Sequence, residues 1–150
     1  MQIFLCSTHR DLATERLLVQ QTFESLVKGA EGLSFFAPRS QPLMEASLSA
    51  LRESNLALFL LGHSYGAMAP GLQFSHAERE YQEAAALGIP ILAFVRRSNF
   101  GMLPGQFERE PARVAKLRAF RALLESCQCV EFTDAPSLSQ SVRKTLESEM

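Results

Sequence analysis

Apolar and polar positions alternate along the chain in two rhythms: short unbroken apolar runs, and longer stretches with an apolar residue every three or four positions. Residues 2–6 form a short apolar strand. Thr8 and Asp11 have the spacing of a capping box, and the helix behind them places Leu12, Val19, Phe23, Leu26 and Val27 inward before a stop at Gly29. A weaker strand is expected over 33–36. Pro42 at a helix start, with Ser40 as N-cap, opens a second helix whose Met44, Leu48 and Leu51 make one stripe, ending near Asn55. Residues 56–61 are apolar throughout, as in a strand buried on both faces at the centre of a parallel sheet. After a Gly- and Pro-containing loop over 62–74, Ser75 and Glu78 make a second capping box, for a helix running to Gly88. Pro90 leads into a strand over 91–95. A loop from Arg96 to about Glu110, containing Gly101, Pro104 and Gly105, precedes a helix with Val114, Leu117, Phe120 and Leu124 on one face. A marginal strand over 130–132 and a helix over 136–149 close the chain.

Five strands alternating with five helices through short connections predict one α/β domain over 1–150, a doubly wound parallel sheet with helices on both faces. The flavodoxin-like strand order 2-1-3-4-5 is the common solution at this length. Ligands of such folds bind beyond the carboxyl ends of the strands, beside strand 1. That rule brings together the loop over 7–10, the loop over 62–74, the loop from Arg96 onward and the start of the Ser75 helix.

Composition narrows the classes. Fifteen Lys and Arg balance sixteen Asp and Glu for a net charge of −1, so the chain lacks the basic excess that gripping a nucleic acid requires. No apolar run approaches the roughly 20 residues of a membrane span, and no signal peptide is evident. Cys6, Cys127 and Cys129 cannot all pair, and no second cysteine pair or nearby His completes a zinc set, which suggests reduced thiols in a cytoplasmic protein without a metal.

Two local patterns invite chemistry. Gly62-His63-Ser64-Tyr65-Gly66 follows a buried strand, where a nucleophile elbow belongs, but no acid and His follow in the required order, and Pro70 and Gly71 interrupt the helix such an elbow needs. Glu78, Arg79, Glu80 and Glu83 crowd the start of the third helix. Glu78 is explained as the capping-box acid and Glu83 as the i,i+4 partner of Arg79. Glu80 has no such structural role, so its carboxylate is expected partly against the fold, with its pKa raised by desolvation. Tyr81, Ala85 and Gly88 read as the core-facing stripe of that helix. Arg113, Lys116, Arg118 and Arg121 read as a solvated helix face.

Taken in order, Ile3 to Thr8 with Asp11-Leu12 and Glu15-Arg16, then Pro42-Leu43, Gly62, Tyr65-Gly66, Ser75, Glu78, Glu80-Tyr81, Ala84, Leu87-Gly88 and Pro90 form one spaced pattern. The tail Lys116 to Phe120 and Phe132-Thr133 extends it over essentially the whole chain. This pattern resembles the domain of unknown function found at the N-termini of STAND-type NTPases and related to TIR domains. Two positions depart from it: Cys6 stands where a second serine is usual, and Ile89 replaces a lysine, removing one anion contact. The resemblance implies a TIR-like fold, a free-standing or excised module, a signalling or defence role, self-association, and a STAND-type NTPase partner in trans. By likeness to NAD-cleaving TIR domains and nucleoside deoxyribosyltransferases, Glu80 is the catalytic carboxylate, about ten residues before Pro90. NAD or another nucleotide would be substrate and not cofactor. Ser7, Thr8, Arg10, Gly62 and Tyr65 are the implied substrate-binding residues, with Ser7 and Thr8 for phosphate or ribose, Arg10 for pyrophosphate and Tyr65 for base stacking. Thr8 as a cap, Arg10 as a solvated charge and Tyr65 as a loop anchor are the rival roles. A catalytically silent interaction module, or a deoxyribosyltransferase-like enzyme, is the alternative for the whole chain.

Overall fold

A computed structural model describes residues 1–38, 40, 42–97 and 103–149. Its elements are β1 Gln2–Ser7, α1 Ala13–Gly29, β2 Ser34–Phe36, α2 Met44–Arg52, β3 Leu56–Leu61, α3 His76–Leu87, β4 Ile91–Arg96, α4 Pro111–Glu125, β5 Gln128–Phe132 and α5 Ala135–Glu149, with a 3-10 turn at Pro104–Gln106 before α4. The strands form one sheet in the order β2-β1-β3-β4-β5, parallel at every pairing. The doubly wound α/β fold expected from the alternation is the one observed. No helix among the described residues is long and apolar enough to cross a membrane.

Strand alternation divides the core in two. Leu56, Leu58 and Leu60 of β3 point, with Ile3, Leu5, Leu92 and Phe94, into a layer closed by Val19 and Phe23 of α1 and Leu138, Val142 and Leu146 of α5. Ala57, Phe59 and Leu61 point the other way, with Phe4, Cys6, Ala93 and Val95, against Leu51 of α2, Ala77 and Ala84 of α3, and Phe120 and Leu124 of α4. Every β3 side chain is therefore buried, which explains why the strand has no polar position. Truncation at Leu58, 0% exposed, removes contacts on a face with no solvent to fill the gap, at a cost of about 2–5 kcal/mol.

Helix boundaries depart from sequence in instructive places. The Thr8–Asp11 box does not cap α1: the Thr8 hydroxyl donates to the Asp11 carboxylate, and Leu12 is the N-cap with no side-chain bond. Val27, expected inward, is exposed. Nor do Ser40 and Pro42 start α2, which begins at Met44 behind an extended Leu43; Pro42 instead lies against a small cavity beneath α1 and α3. Ser75 does cap α3, accepting the Glu78 N–H at 3.1 Å, and Gly88 ends that helix with φ 70°. The core-facing stripe of α3 is Ala77, Glu80 and Ala84; Ala85 and Gly88 are exposed, and Tyr81 is half-buried against Phe59 and Phe120. Gly101 lies outside the described residues.

Candidate functional site

Beyond the carboxyl ends of β1 and β3, the loop after β1 meets the loop joining β3 to α3. Two glycines let them approach: a Cβ on Gly62 would come within 2.5 Å of an Asp11 oxygen, and one on Gly66, at φ +90°, within 2.6 Å of the Thr8 methyl. Between the loops lies a cleft of about 300 Å³ whose walls include Ser7, Thr8, His9, Arg10, Ser64 and His76. Arg10 is exposed at this cleft, while the Ser7 and Thr8 hydroxyls are already engaged, by Arg16 and Asp11 respectively. Burial pushes the Asp11 carboxyl up to about 6, against the hydrogen bond from Thr8. Burial, helped by Arg16 and His76, lowers His9 to about 4, so its imidazole is neutral near pH 7.

The loop after β3 is held by a relay that places Tyr65 inside it. The Ser75 N–H donates to the Tyr65 hydroxyl at 3.2 Å, and that hydroxyl donates to Glu78 Oε1 at 2.6 Å. Tyr65 thus occupies the place that Glu78 would fill in a complete capping box. Its ring is 0% exposed, edge-on to Phe120 and under the Arg113 guanidinium, so it offers no face to a base and acts as a loop anchor. Gly62 lies outside the cleft wall and serves close packing, its carbonyl accepting from Arg121 at 2.7 Å. Three of the α4 cations are struts and not a solvated face. Arg113 joins Glu108 at 2.8 Å to the Gly66 carbonyl at 2.6 Å, Lys116 donates to the Gln73 carbonyl, and Arg121 reaches the Arg96 carbonyl as well as Gly62. Ser64 has no nucleophile-elbow geometry: α3 begins only at His76, and the Ser64 hydroxyl accepts the Gly66 N–H at 3.2 Å.

Glu80 sits one helical turn beyond Ala77, which forms part of the cleft wall. It is 5% exposed and faces a second cavity, of about 10 Å³, shared with Ser7, His9, Arg16, Pro42 and Ser47. That volume holds about one water. Ser7 and His9 line both spaces. Burial raises the Glu80 carboxyl to about 7, partly offset by the nearby Cys6 thiol and Ser47 hydroxyl and by the charge of Arg16. The same burial, together with Glu80, raises the Cys6 thiol well above its usual range, so Cys6 is a neutral thiol, which donates to the Ala77 carbonyl at 3.8 Å. The desolvated carboxylate expected from sequence is therefore present, more deeply buried than its helical neighbours suggested.

Sequence reasoning singled out neither Arg16, His9 nor Ser47. Arg16 is 5% exposed, donating to the Ser7 hydroxyl and the Pro38 carbonyl. The available signal was position: Arg16 precedes Val19 and Phe23 by three and seven residues, on the inward side of α1. A larger hollow, about 600 Å³, lies between α1 and the edge strand β2, but it is walled mostly by apolar residues such as Phe23, Leu33 and Phe35. Its charged residues, Glu24 and Lys28, are both exposed, so the convergent polar groups of a catalytic site are in the cleft instead.

Comparison with curated proteins returns no match. Solved structures with the same architecture include that of Clostridium botulinum CMP N-glycosidase, BcmB, which is 14% identical, with a TM-score of 0.53 over 100% of both chains. At that identity the likeness is one of fold. A family model described as a domain of unknown function, DUF4062, matches residues 2–147. The chain therefore belongs to the DUF4062 family.

Proposed function

We propose that this protein cleaves the N-glycosidic bond of a nucleotide, with Glu80 as the catalytic carboxylate. The observation that carries the reading is a single buried carboxylate on the inward stripe of α3, in a small cavity that shares Ser7 and His9 with the polar cleft beyond the carboxyl ends of β1 and β3. As the bond between the anomeric carbon and the base nitrogen breaks, its electron pair leaves with the base and positive charge develops on the ribosyl ring. The Glu80 carboxylate stabilises that charge, water adds to the anomeric carbon, and the proton that water loses balances the departing base. Arg10 at the exposed side of the cleft holds the phosphate. The ionised form of Glu80 is the working one, so turnover rises with pH through about 7.

The finer reading takes NAD as the substrate and gives the domain a TIR-like signalling or defence role. It includes self-association and a STAND-type NTPase acting in trans, and it rests on the sequence resemblance. The three free thiols accord with a reducing cytoplasm. One observation favours the rival, a silent interaction module: the cavity at Glu80 admits about one water, so a substrate reaches the carboxylate only if the cavity walls rearrange. Concentrated protein incubated with CMP, NAD, NADP and nucleosides, assayed for free base, separates the two. Base release that Glu80→Gln abolishes supports the enzyme, and transfer of the sugar to a second added base instead of to water would support the deoxyribosyltransferase-like variant. No turnover at self-associating concentrations would leave the interaction module; turnover unchanged in Glu80→Gln would move the chemistry to another residue.

A further inference from the structure

Arg16 carries a full charge at 5% exposure, a placement that needs compensation from within the fold. Its hydrogen bonds go to neutral oxygens. One guanidinium nitrogen donates to the Ser7 hydroxyl at the end of β1, and another to the Pro38 carbonyl after β2. The Ser7 hydroxyl in turn donates to the Thr8 carbonyl at 3.0 Å, and Gln20, one turn further along α1, donates to the Ala37 carbonyl at 3.0 Å. The guanidinium is thus fixed at two points between β1 and the segment after β2.

The groups around Glu80 come from every element packed on it. Cys6 projects from β1, His9 from the loop after it, Arg16 from α1 and Ser47 from α2. On α3 itself, His76 lies one turn before, and Glu83 one turn after is occupied by Arg52 at 3.1 Å and Arg79 at 3.8 Å. Cys6 and His9 are neutral near pH 7. Among the described residues lining the cavity, Arg16 is the one permanent cation, and with the Cys6 thiol neutral the negative charge that acts on it is that of Glu80.

We infer that Arg16 is the positioning residue of this site: its guanidinium, clamped by Ser7 and Pro38, is the fixed counter-charge that allows Glu80 to ionise inside the fold. The inference rests on reading Glu80 as the working carboxylate, but its readout is protonation and not turnover. An arginine suits the role because its planar fork can hold two oxygens while its charge stays in place, whereas a lysine offers one flexible point charge.

The test is the Glu80 titration, followed by carbon NMR of protein labelled at the glutamate side-chain carboxyls, with the Glu80 resonance assigned by its loss in Glu80→Gln. In Arg16→Gln the midpoint moves up measurably, the effect of removing an opposite charge that shares the cavity. In Arg16→Lys it stays nearer the wild-type value. An unmoved midpoint in Arg16→Gln, or an equal displacement in both variants, would overturn the inference, because loss of the Ser7 and Pro38 tether alone would act on both. If Arg16→Gln is too unstable to titrate, thermal unfolding at about pH 8 decides. The drop in Tm caused by Arg16→Gln is larger with Glu80 present than in the Glu80→Gln background; equal drops overturn the role. A raised midpoint in a protein that cleaves no nucleotide would sink the proposed activity and leave this inference standing.

Discussion

Glu15 and Arg16 are consecutive on α1 and both are buried, yet they belong to two different kinds of charge site. Successive helix positions are rotated by about 100°, so the two side chains face different neighbours. Glu15 meets Arg96 at the end of β4 at 2.6 Å, with both side chains under a tenth exposed. Arg16 turns toward β1 and α3, gives its hydrogen bonds to uncharged oxygens, and shares a cavity with Glu80 without a direct ion-pair bond among those described. The first arrangement is saturated: each charge is compensated by the other, and the pair fastens α1 to the sheet. The second is left incomplete, with a carboxylate held between ionised and neutral. Buried charge that is fully paired is architecture, and buried charge that is only partly compensated retains chemistry to offer a ligand.

The largest expected effect breaks the saturated side. Glu15→Gln takes the carboxylate away from the Arg96 guanidinium and costs about 3–5 kcal/mol in urea unfolding. It should leave the Glu80 midpoint where it is; a change there would show the two sites to be one network.

On the other side the sign reverses. Glu80 has a folded pKa of about 7 against an ordinary 4.5, so its contribution to stability is fully present below pH 4.5 and is lost as pH rises through 7. Each pH unit between the two values is worth about 1.36 kcal/mol, so Glu80→Gln is more stable than wild type by about 3 kcal/mol at about pH 8. The difference closes at acid pH. His9, lowered to about 4, contributes in the opposite sense, with stability present above 6.5 and lost as pH falls to 4. It acts equally in both proteins and cancels in their comparison. Equal stabilities for the two proteins at about pH 8 would mean Glu80 ionises without strain and would erase the contrast with Glu15.

Smaller effects concern the wall of the cleft. Tyr65→Phe removes a hydroxyl that satisfies both the Ser75 N–H and the Glu78 carboxylate, for about 1–3 kcal/mol in thermal unfolding. Ser75→Ala removes only the cap on the Glu78 N–H, for about 1 kcal/mol. The reverse ranking would show that the loop is held by the cap and not by the buried tyrosine.

How much of this was legible follows from which forces act locally. β1, β3 and β4 were readable because burial on both faces keeps their middles apolar, with polar residues only at the ends of β1 and β4. Ser75 was readable as a cap because its bond closes within one turn. Thr8 and Ser40 have the same local credentials but do not cap: the Thr8 hydroxyl is taken by the Asp11 side chain, and α2 starts late, beyond a Pro42 that rests on the Glu80 cavity. Glu80 emerged by elimination among four charged neighbours. The residue that compensates it did not, because an arginine three positions before a valine looks like a solvated charge until Pro38 and Ser7 close over it. Of the two roles open for Tyr65, its burial selects the anchor, and three α4 cations that read as a solvated face have carbonyl partners 25 to 59 residues away.

The central claim is that the incompletely compensated carboxylate is the one that works. Free-base release from CMP and NAD by concentrated wild-type protein and by Glu80→Gln, on both sides of pH 7, tests it directly. Release should rise through pH about 7 and fall about 100- to 1,000-fold in Glu80→Gln. Equal release by the two proteins, or none by the assembled wild type, would contradict it.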